Sequence, residues 1–188
     1  MTRWAPDARG RLAQAALDLC SERGFEQTTV AEIAARAGLT ERTFFRHFAD
    51  KREVLFAGAD ELQALVVGAV ADAADTATPI EAAAAGVEVA GVALQQRRDF
   101  AGKRQAVIMA NAELRERELI KLATLAAAIA GALRERGVAD SVAELTGEVA
   151  ISVFKLAFER WVGDAAGGRD LAQLIRESLR ELRAVTSG

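Results

Sequence analysis

Helix starts and helix stops follow one another so closely between residues 24 and 50 that only short helices fit between them. Thr29 is followed three residues later by Glu32, a capping box that predicts a helix over 30–37. Gly38 comes directly after this stretch and can take the left-handed conformation that ends a helix. The spacing therefore predicts short helices and no sheet in this part of the chain.

The segments on either side of this helix are also predicted to be helical. Apolar residues recur at helical spacing over 12–20, and Gly24 ends that first helix. Thr40 caps a third helix over 41–48. The small side chain of Ala34 lets the second and third helices approach, and Gly38 turns the chain between them. Together these features predict a helix-turn-helix.

The third predicted helix has two different faces. Phe44 and Phe48 fall on one side and belong to a core, whereas Arg42 and Arg46 point nearly opposite. Guanidinium groups match the acceptor edge of guanine or a phosphate, so this outward face is typical of a recognition helix. A solvated charged face is the alternative, and the preceding turn and caps favour recognition.

These motifs together resemble the tetracycline-repressor (TetR) family. The stretches that carry the resemblance are GFEQTTVAEIA at 24–34, AGLT at 37–40, FFRHF at 44–48 and DKRE at 50–53, within a match that covers roughly residues 9–56. Membership implies an all-α fold of about nine helices. It also implies a homodimer, an N-terminal three-helix DNA-binding domain, and a C-terminal helical domain for ligand sensing and dimerisation.

The resemblance also implies a set of DNA contacts, namely Thr29, Thr40, Arg42, Thr43, Phe45, Arg46, His47 and Lys51. The two capping threonines and Lys51 would touch phosphates, and Lys51 would do so at the start of a fourth helix. Phe45 stands where the family has a tyrosine. A hydroxyl contact to phosphate is lost there, which leaves an apolar contact such as one to a thymine methyl.

The rest of the chain is predicted to be helical as well. Asp50 and Glu53 form a capping box that opens a fourth helix running to about residue 74, and this helix connects a DNA-binding domain at 1–56 to a second domain at 57–188. Ser141 with Glu144 forms another capping box. The further helices are expected at about 80–96, 99–110, 112–136 with Asn111 as cap, 142–162 and 170–184.

The two C-terminal helices carry broad apolar faces. By resemblance they pair with their copies in a second subunit as a four-helix bundle. The predicted dimer contacts are Val149, Leu156, Leu171, Leu174, Ile175 and Leu182. The alternative is that these helices pack inside one subunit.

The aromatic residues of the second domain are few and cluster along one helix edge. Aromatic side chains at this spacing are more often plain core, but the resemblance implies a hollow domain. The predicted ligand contacts are Phe100, Arg104, Ile108, Leu122, Phe154, Phe158 and Trp161. Such a pocket would take a small hydrophobic ligand, with Arg104 facing one anionic or polar end.

Composition argues against several other functions. With one cysteine, one histidine and no tyrosine, the chain offers neither a zinc ligand set nor a nucleophile beside a base, so we expect no metal, cofactor or catalysis. Cys20 lies on an apolar stripe and is expected to be a small buried hydrophobe. The charged run at 113–121 is expected to be a solvated helix face. No apolar run approaches a membrane span, which favours the cytoplasm and no membrane partner.

Charge divides along the chain in a way that suits DNA. The first 52 residues hold nine Lys and Arg against seven Asp and Glu, although the whole chain has a net charge of -3. The sequence therefore predicts a dimeric regulator that binds an inverted-repeat site on double-stranded DNA. By resemblance it is a repressor released by a small hydrophobic effector. A regulator controlled by a protein partner, with no small-molecule ligand, stays open as the alternative.

Overall fold

A computed structural model of the chain describes residues 8–164 and 166–186. Within these residues the regular structure consists of nine α-helices and one short 3-10 helix, with no strand. The elements are α1 (Ala8–Arg23), α2 (Val30–Arg36), α3 (Glu41–His47), the 3-10 helix (Glu53–Phe56), α4 (Ala59–Ala71), α5 (Pro79–Gln95), α6 (Arg98–Met109), α7 (Ala112–Glu135), α8 (Asp140–Gly163) and α9 (Leu171–Thr186). The predicted all-α fold is confirmed.

The chain divides into two compact units that do not simply follow one another along the sequence. The first unit consists of Met1–Ala59 with Gly102–Glu118, and the second of Asp60–Ala101 with Leu119–Gly188. Part of the predicted second domain thus belongs to the first unit. Helices α6 and α7 each contribute residues to both units. Where the functional domains divide stays a prediction.

The core of the first unit is built by α1, α2, α3 and the 3-10 helix. Fully buried side chains from each of them meet there, namely Leu12, Leu17, Ile33, Phe44 and Leu55. The rings of Phe44 and Phe48 lie 5.4 Å apart, so both residues of the predicted inner face of α3 are core residues, as expected. Helices α2 and α3 have 7 residues each and depend on contacts with their neighbours, because isolated helices of this length are unstable in water.

The predicted fourth helix is wrong as a single element. Asp50 accepts hydrogen bonds from the backbone nitrogens of Arg52 and Glu53, but this cap opens only the 3-10 helix. The chain then turns at Gly58, where φ is 90°, before α4 begins. The physical reason is that three consecutive residues, 54–56, are all buried, and a straight α-helix cannot turn three successive side chains toward one core.

The second unit is held together by α5, α8 and α9, which pack on one another at close range. A Cβ added at Gly91 would lie 3.1 Å from the backbone nitrogen of Ala172, so α5 and α9 approach closely. Gly147 of α8 lies in the same way against the carbonyl oxygen of Ala126 in α7. Small residues at these positions allow the helix backbones to come together.

Two helix starts in this unit differ from the predictions. Helix α8 begins at Asp140 after Ala139, which corrects the predicted Ser141 and Glu144 capping box. Helix α5 begins with a capping box that was not predicted, in which the Glu81 carboxylate accepts from the backbone nitrogen and the hydroxyl of Thr78 at 3.0 and 2.7 Å. Pro79 follows as the first helical residue, a position where the backbone N–H that proline lacks would have no partner within the helix.

One stretch, Glu53–Ala71, has the length and apolar composition of a membrane-spanning helix. The turn at Gly58 divides it, so the stretch is not one continuous helix. Core helices of soluble proteins share this length and composition, and the stretch therefore does not indicate a membrane protein.

Candidate nucleic-acid interface

The outward face of α3 carries two arginines and a phenylalanine. Arg42 and Arg46 are exposed, and Phe45 is 55% exposed although its neighbour Phe44 is fully buried. Within residues 8–164 and 166–186, neither guanidinium group forms an ion pair or a hydrogen bond with another side chain. Both guanidinium forks therefore remain free to bind an external acceptor, and an apolar ring lies between them.

The inner face of α3 fixes the direction of this outward face. The ring of Phe44 contacts that of Phe48 on the core side and that of Phe45 edge-on at 5.4 Å. The guanidinium of Arg9 in α1 lies over the Phe48 ring, 5.0 Å from its centre. Because the buried rings hold the helix about its axis, Arg42 and Arg46 cannot rotate inward without exposing the core.

The turn between α2 and α3 is held by backbone and hydroxyl hydrogen bonds. Gly38 has a φ of 68°, and the nitrogen of Leu39 donates to the carbonyl oxygen of Ala34 at 2.8 Å. Thr40 caps α3 by accepting from the backbone nitrogen of Thr43 at 3.2 Å. The predicted helix-turn-helix and its cap are confirmed by these contacts. The Thr40 and Thr43 hydroxyls also lie 3.1 Å apart.

The start of α2 is fixed by the predicted capping box. The Glu32 carboxylate accepts from the backbone nitrogen and the hydroxyl of Thr29 at 3.0 and 2.6 Å, while the Glu32 nitrogen donates back to that hydroxyl. These hydrogen bonds lower the pKa of Glu32 below its ordinary value. Arg23 adds an ion pair to the same carboxylate at 2.9 Å.

The Lys51 side chain forms its contacts within the first unit. Its Nζ donates to the carbonyl oxygens of Phe25 and Thr28 at 2.9 and 3.0 Å and lies 4.1 Å from the centre of the Phe25 ring. The ammonium therefore holds the turn that leads into α2. Two of its three hydrogens are used there. The third could donate to a phosphate, and this predicted contact stays a prediction.

His47 is half-buried at the end of α3. Its Nε2 is buried and finds no hydrogen-bond partner among the residues that the structure describes. A contact with DNA through that nitrogen would require the ring to move, whereas Thr29, Thr40, Arg42, Phe45 and Arg46 are exposed as they stand.

Comparison with known proteins agrees with this geometry. The family model of bacterial regulatory proteins of the tetR family matches residues 12–57. The HTH-type transcriptional regulator TcmR of Streptomyces glaucescens is 50% identical over 46 residues, which make up 24% of this chain and only 20% of TcmR. The similarity to TcmR is therefore confined to the helix-turn-helix region.

Solved structures extend the similarity along the chain. FadR of Thermus thermophilus, a TetR-family transcriptional repressor solved with lauroyl-CoA, is 28% identical, and the alignment covers 92% of this chain and 91% of FadR with a TM-score of 0.57. The helix-turn-helix region at residues 12–57 belongs to the TetR family. The same fold is found in FadR of Bacillus subtilis, solved with stearoyl-CoA, at 21% identity, 91% and 95% coverage and a TM-score of 0.62. It is also found in SmeT of Stenotrophomonas maltophilia at 19% identity, 94% and 89% coverage and a TM-score of 0.59.

The predicted ligand contacts are divided between the two units. Phe100, Leu122, Phe154, Phe158 and Trp161 lie in the second unit, whereas Arg104 and Ile108 lie in the first. Arg104 is already engaged there, since its Nε donates to the Leu55 carbonyl oxygen at 2.7 Å and its Nη1 to Glu118 at 3.0 Å. Ile108 is fully buried in that unit.

The structure brings three of the predicted aromatic residues together. The ring centres of Phe154 and Phe158 lie 6.0 Å apart, and those of Phe158 and Trp161 lie 5.6 Å apart. Phe154 and Trp161 belong to the core cluster of the second unit, and Phe158 packs against it half-buried. Arg98 closes one side, with its guanidinium 5.1 Å from the centre of the Trp161 ring.

The predicted dimer contacts separate into buried and exposed residues. Leu171, Leu174 and Ile175 are fully buried within one chain, because α9 turns them toward α5 and α8. These three side chains therefore have no exposed surface with which to contact a second subunit. Leu182 packs half-buried against the core, and its dimer contact stays a prediction. The two α8 residues behave differently, since Leu156 is exposed and Val149 is half-buried.

Sequence reasoning missed a set of ion pairs that joins distant segments of the first unit. Arg117 pairs with Glu53 at 2.5 Å and with Asp50 at 3.6 Å, and Arg52 lies 3.8 Å from Glu113. The sequence predicted a solvated face for the run at 113–121, and these ion pairs show that part of it instead contacts residues 50–53. The partners lie some 60 positions apart in the chain, and no local pattern could have revealed them.

Proposed function

We propose that the protein is a transcriptional regulator that binds double-stranded DNA in a sequence-specific manner through the outward face of α3. The observation that supports this most is the pair of unpaired, exposed arginines on a short helix whose other face is locked in a core. A guanidinium fork can donate two parallel hydrogen bonds to the O6 and N7 atoms of guanine. The exposed Phe45 ring offers an apolar surface to a thymine methyl.

The exposed caps supply positioning contacts around this face. The hydroxyls of Thr29 and Thr40 lie at the starts of α2 and α3, where backbone donors and the helix dipole favour a phosphate. Contacts of this kind fix the register of a protein on DNA and carry no sequence information. The two arginines would therefore determine specificity, and the threonines and Lys51 would determine orientation.

Selection of bound sequences from random duplex DNA with the purified chain tests this proposal. We expect an inverted repeat, since a symmetric dimer presents two recognition helices. Arg42→Ala and Arg46→Ala should each weaken binding to the selected site by about 1–3 kcal/mol and relax base preference. Arg115→Ala is the matched control, because Arg115 is also an exposed arginine and lies on α7. Arginine variants that keep the affinity and selectivity of the control would refute the recognition face.

We further propose that the chain works as a homodimer through an apolar stripe on α8. Val142, Leu145, Val149 and Leu156 follow one another at intervals of three, four and seven residues and so share one helix face. Leu145 is 65% exposed and Leu156 52% exposed. A partner helix that covers these residues would bury apolar surface that one chain leaves in water.

Light scattering and sedimentation measure the oligomeric state and so test this proposal directly. Leu145→Glu with Leu156→Glu should convert the dimer to a monomer, because two carboxylates would be buried against their own symmetry copies. Leu119→Glu places the same charge on α7 at a residue that is 59% exposed, and it should leave the dimer intact. A wild-type chain that is monomeric at micromolar concentration would overturn the proposal.

A small hydrophobic effector that releases the DNA completes the proposed function, which makes the protein a repressor. Phe154, Phe158 and Trp161 form an aromatic cluster at the core of the second unit, and a ligand entering beside it would meet rings and aliphatic side chains. The two similar FadR proteins were solved with acyl-CoA molecules, which carry long apolar chains. We therefore propose an acyl chain as the apolar part of the effector.

Calorimetric titration with lauroyl-CoA tests the effector, and coenzyme A without an acyl chain is the control. Lauroyl-CoA should bind and weaken DNA binding, and DNA should weaken lauroyl-CoA binding by the same factor. Phe158→Ala should lower the affinity for lauroyl-CoA, whereas Leu65→Ala, at an exposed position of α4, should not. A chain that binds DNA, binds no acyl-CoA or fatty acid and keeps its DNA affinity in their presence would favour control by a protein partner.

A further inference from the structure

A small cavity lies within the first unit, between the end of α1 and the end of α6. Its volume is about 190 Å³. The residues that line it are Cys20, Arg23, Gly24, Phe25, Glu26, Val107, Ala110 and Asn111. None of them belongs to the predicted DNA contacts or to the predicted effector contacts of the second unit, so the cavity has no assigned role.

The inner surface of the cavity is apolar. The Cys20 thiol, the Phe25 ring and the Val107 methyl groups are all buried there. An engineered apolar cavity of about 150 Å³ binds benzene, so a space of this size accommodates one substituted six-membered ring.

The charged side chains at the rim already have partners, an ion pair for Arg23 and a hydrogen bond for Glu26. Arg23 forms an ion pair with Glu32 at 2.9 Å, and one oxygen of Glu26 accepts from the side-chain amide of Asn111 at 2.7 Å. Since the two rim charges are opposite and engaged, the site favours a neutral molecule over an ion. The other oxygen of Glu26 accepts no hydrogen bond from the described residues, and a hydroxyl on the ring could donate to it.

Two residues that line the cavity, Phe25 and Arg23, contact residues at or near the predicted DNA-binding surface. The Phe25 ring supports the Lys51 ammonium at 4.1 Å, and its carbonyl oxygen accepts from the same group. Arg23 pairs with Glu32, whose carboxylate caps α2 through Thr29. A molecule that displaces Phe25 or Arg23 must therefore disturb the turn that starts α2.

We propose that this cavity is a second effector site, which binds a small neutral phenol and lowers the affinity for DNA when it is filled. The binding of the phenol is independent of the proposed function, whereas its consequence for DNA rests on it. The phenol packs against the Phe25 ring, which supports Lys51, so a shift of that ring on binding moves Lys51 with it. The ligand acts because the conformation it prefers holds the start of α2 less well.

Methyl NMR of the full chain titrated with phenol tests the site. The Val107 methyl signals should shift in a saturable manner, while those of Val153 in the core of the second unit should not. Benzoate, a ring of similar size with a charge, should bind at least ten-fold more weakly. Ala110→Phe should fill the mouth of the cavity and weaken phenol binding at least ten-fold. Ala106→Phe places the same ring one turn away, at an exposed residue that does not line the cavity, and should change the affinity less than two-fold.

DNA binding measured in the same samples tests the regulatory consequence. Saturating phenol should lower the affinity of the wild-type chain for its selected site at least three-fold and leave that of Ala110→Phe unchanged. Absence of a saturable shift at Val107, or an undiminished shift in Ala110→Phe, would overturn the site. A saturable shift with unchanged DNA affinity would overturn its role as an effector site. A chain that binds no DNA without phenol would refute the proposed function and this role together, while the methyl titration would still decide whether the cavity binds.

Discussion

The two units of this protein use helices in opposite ways. In the first, α2 and α3 have 7 residues each and are held by threonine caps, a glycine turn and a few buried rings. In the second, α8 has 24 residues and packs along α5 and α9. Small residues let α5 approach α9 and α8 approach α7 closely. Short capped helices can turn one face into a core and leave the other fully outward, as Phe44 and Phe45 do. Long helices in close contact bury most of their apolar surface instead.

The arginines of α3 differ in the same sense from those of α8 and α9. On α9 and its neighbours, Arg176 pairs with Glu88, and Arg160 pairs with Glu181. On α3, Arg42 and Arg46 have no such partner among the residues that the structure describes. Charged residues on an ordinary helix surface are commonly balanced by their neighbours. Unpaired cations on a rigid helix therefore indicate an external partner better than a count of basic residues does.

The largest effect on stability should follow from removing the buried ring on the inner face of α3. Phe44→Ala should lower the free energy of unfolding of the first unit by about 3–5 kcal/mol, because it empties a fully buried site. Phe45→Ala should change that free energy by less than about 0.5 kcal/mol and yet weaken DNA binding. Denaturant unfolding and a DNA titration measure the two effects. A stability loss in Phe45→Ala equal to that in Phe44→Ala would refute the division into faces.

The second unit should be most sensitive where its backbones touch. Gly147→Ala places a Cβ against the Ala126 carbonyl oxygen and should cost about 1–3 kcal/mol, because two long helices must move apart. Gly131→Ala is the matched control in α7, where an added Cβ meets no atom within 4 Å, and it should gain about 0.5–1 kcal/mol from helix propensity. Thermal unfolding separates the two. A neutral Gly147→Ala would mean that the α7 and α8 backbones are not held in contact.

The same contrast explains what the sequence could predict. Caps and stops such as Thr29, Gly38 and Thr40 are local signals with one structural meaning, and they gave the helix-turn-helix and the outward face of α3 correctly. The 3-10 helix was missed because Asp50 and Glu53 form an equally good start for an α-helix, and only the burial of residues 54–56 distinguishes the two. Burial is decided by partners that are distant in the chain.

The second unit was harder to predict for a related reason. Leu171, Leu174 and Ile175 lie on the apolar face of an amphipathic helix, but periodicity does not tell whether that face meets its own chain or a second one. The close contacts at Gly91 and Gly147 depend on matching positions in other helices. The pairing of Arg117 with Glu53 likewise depends on the fold, which is why a charged run resembled a solvated face.

A smaller effect should follow from replacing Lys51. It tests whether the ammonium stabilises the turn before α2, contacts a DNA phosphate, or does both. Lys51→Met keeps the aliphatic stem but removes the ammonium from the Phe25 and Thr28 carbonyl oxygens, which should cost about 1–2 kcal/mol of stability. If the ammonium also contacts phosphate, all DNA sequences should be bound more weakly, with a salt dependence reduced by about one charge. An unchanged salt dependence would assign Lys51 to the turn alone.

The smallest effect on stability should come from lowering the pH. It compares the capping box that opens α2 in the first unit with the one that opens α5 in the second. Glu32 and Glu81 each accept hydrogen bonds from a threonine hydroxyl and backbone nitrogen, which lower the pKa of both carboxyl groups. The unfolded chain therefore binds protons at these sites more readily than the folded one. The stabilisation is present above the ordinary pKa of glutamate, roughly 4.3, and is lost as the pH falls through the lower folded values.

Glu32→Gln and Glu81→Gln should each flatten the fall in thermal stability between roughly pH 5 and pH 3, because glutamine does not titrate. Glu148→Gln replaces an exposed glutamate without such a threonine and should follow the wild-type profile. Arg23 lies 2.9 Å from Glu32, whereas Arg183 lies 3.6 Å from Glu81, and both ion pairs are largely exposed to solvent. The Glu32 variant should therefore show the larger change, and its unfolding should be followed by signals from α2. A larger change in Glu81→Gln would mean that the box in the second unit, which sequence analysis did not predict, holds its carboxylate more firmly than the box beside the recognition helix.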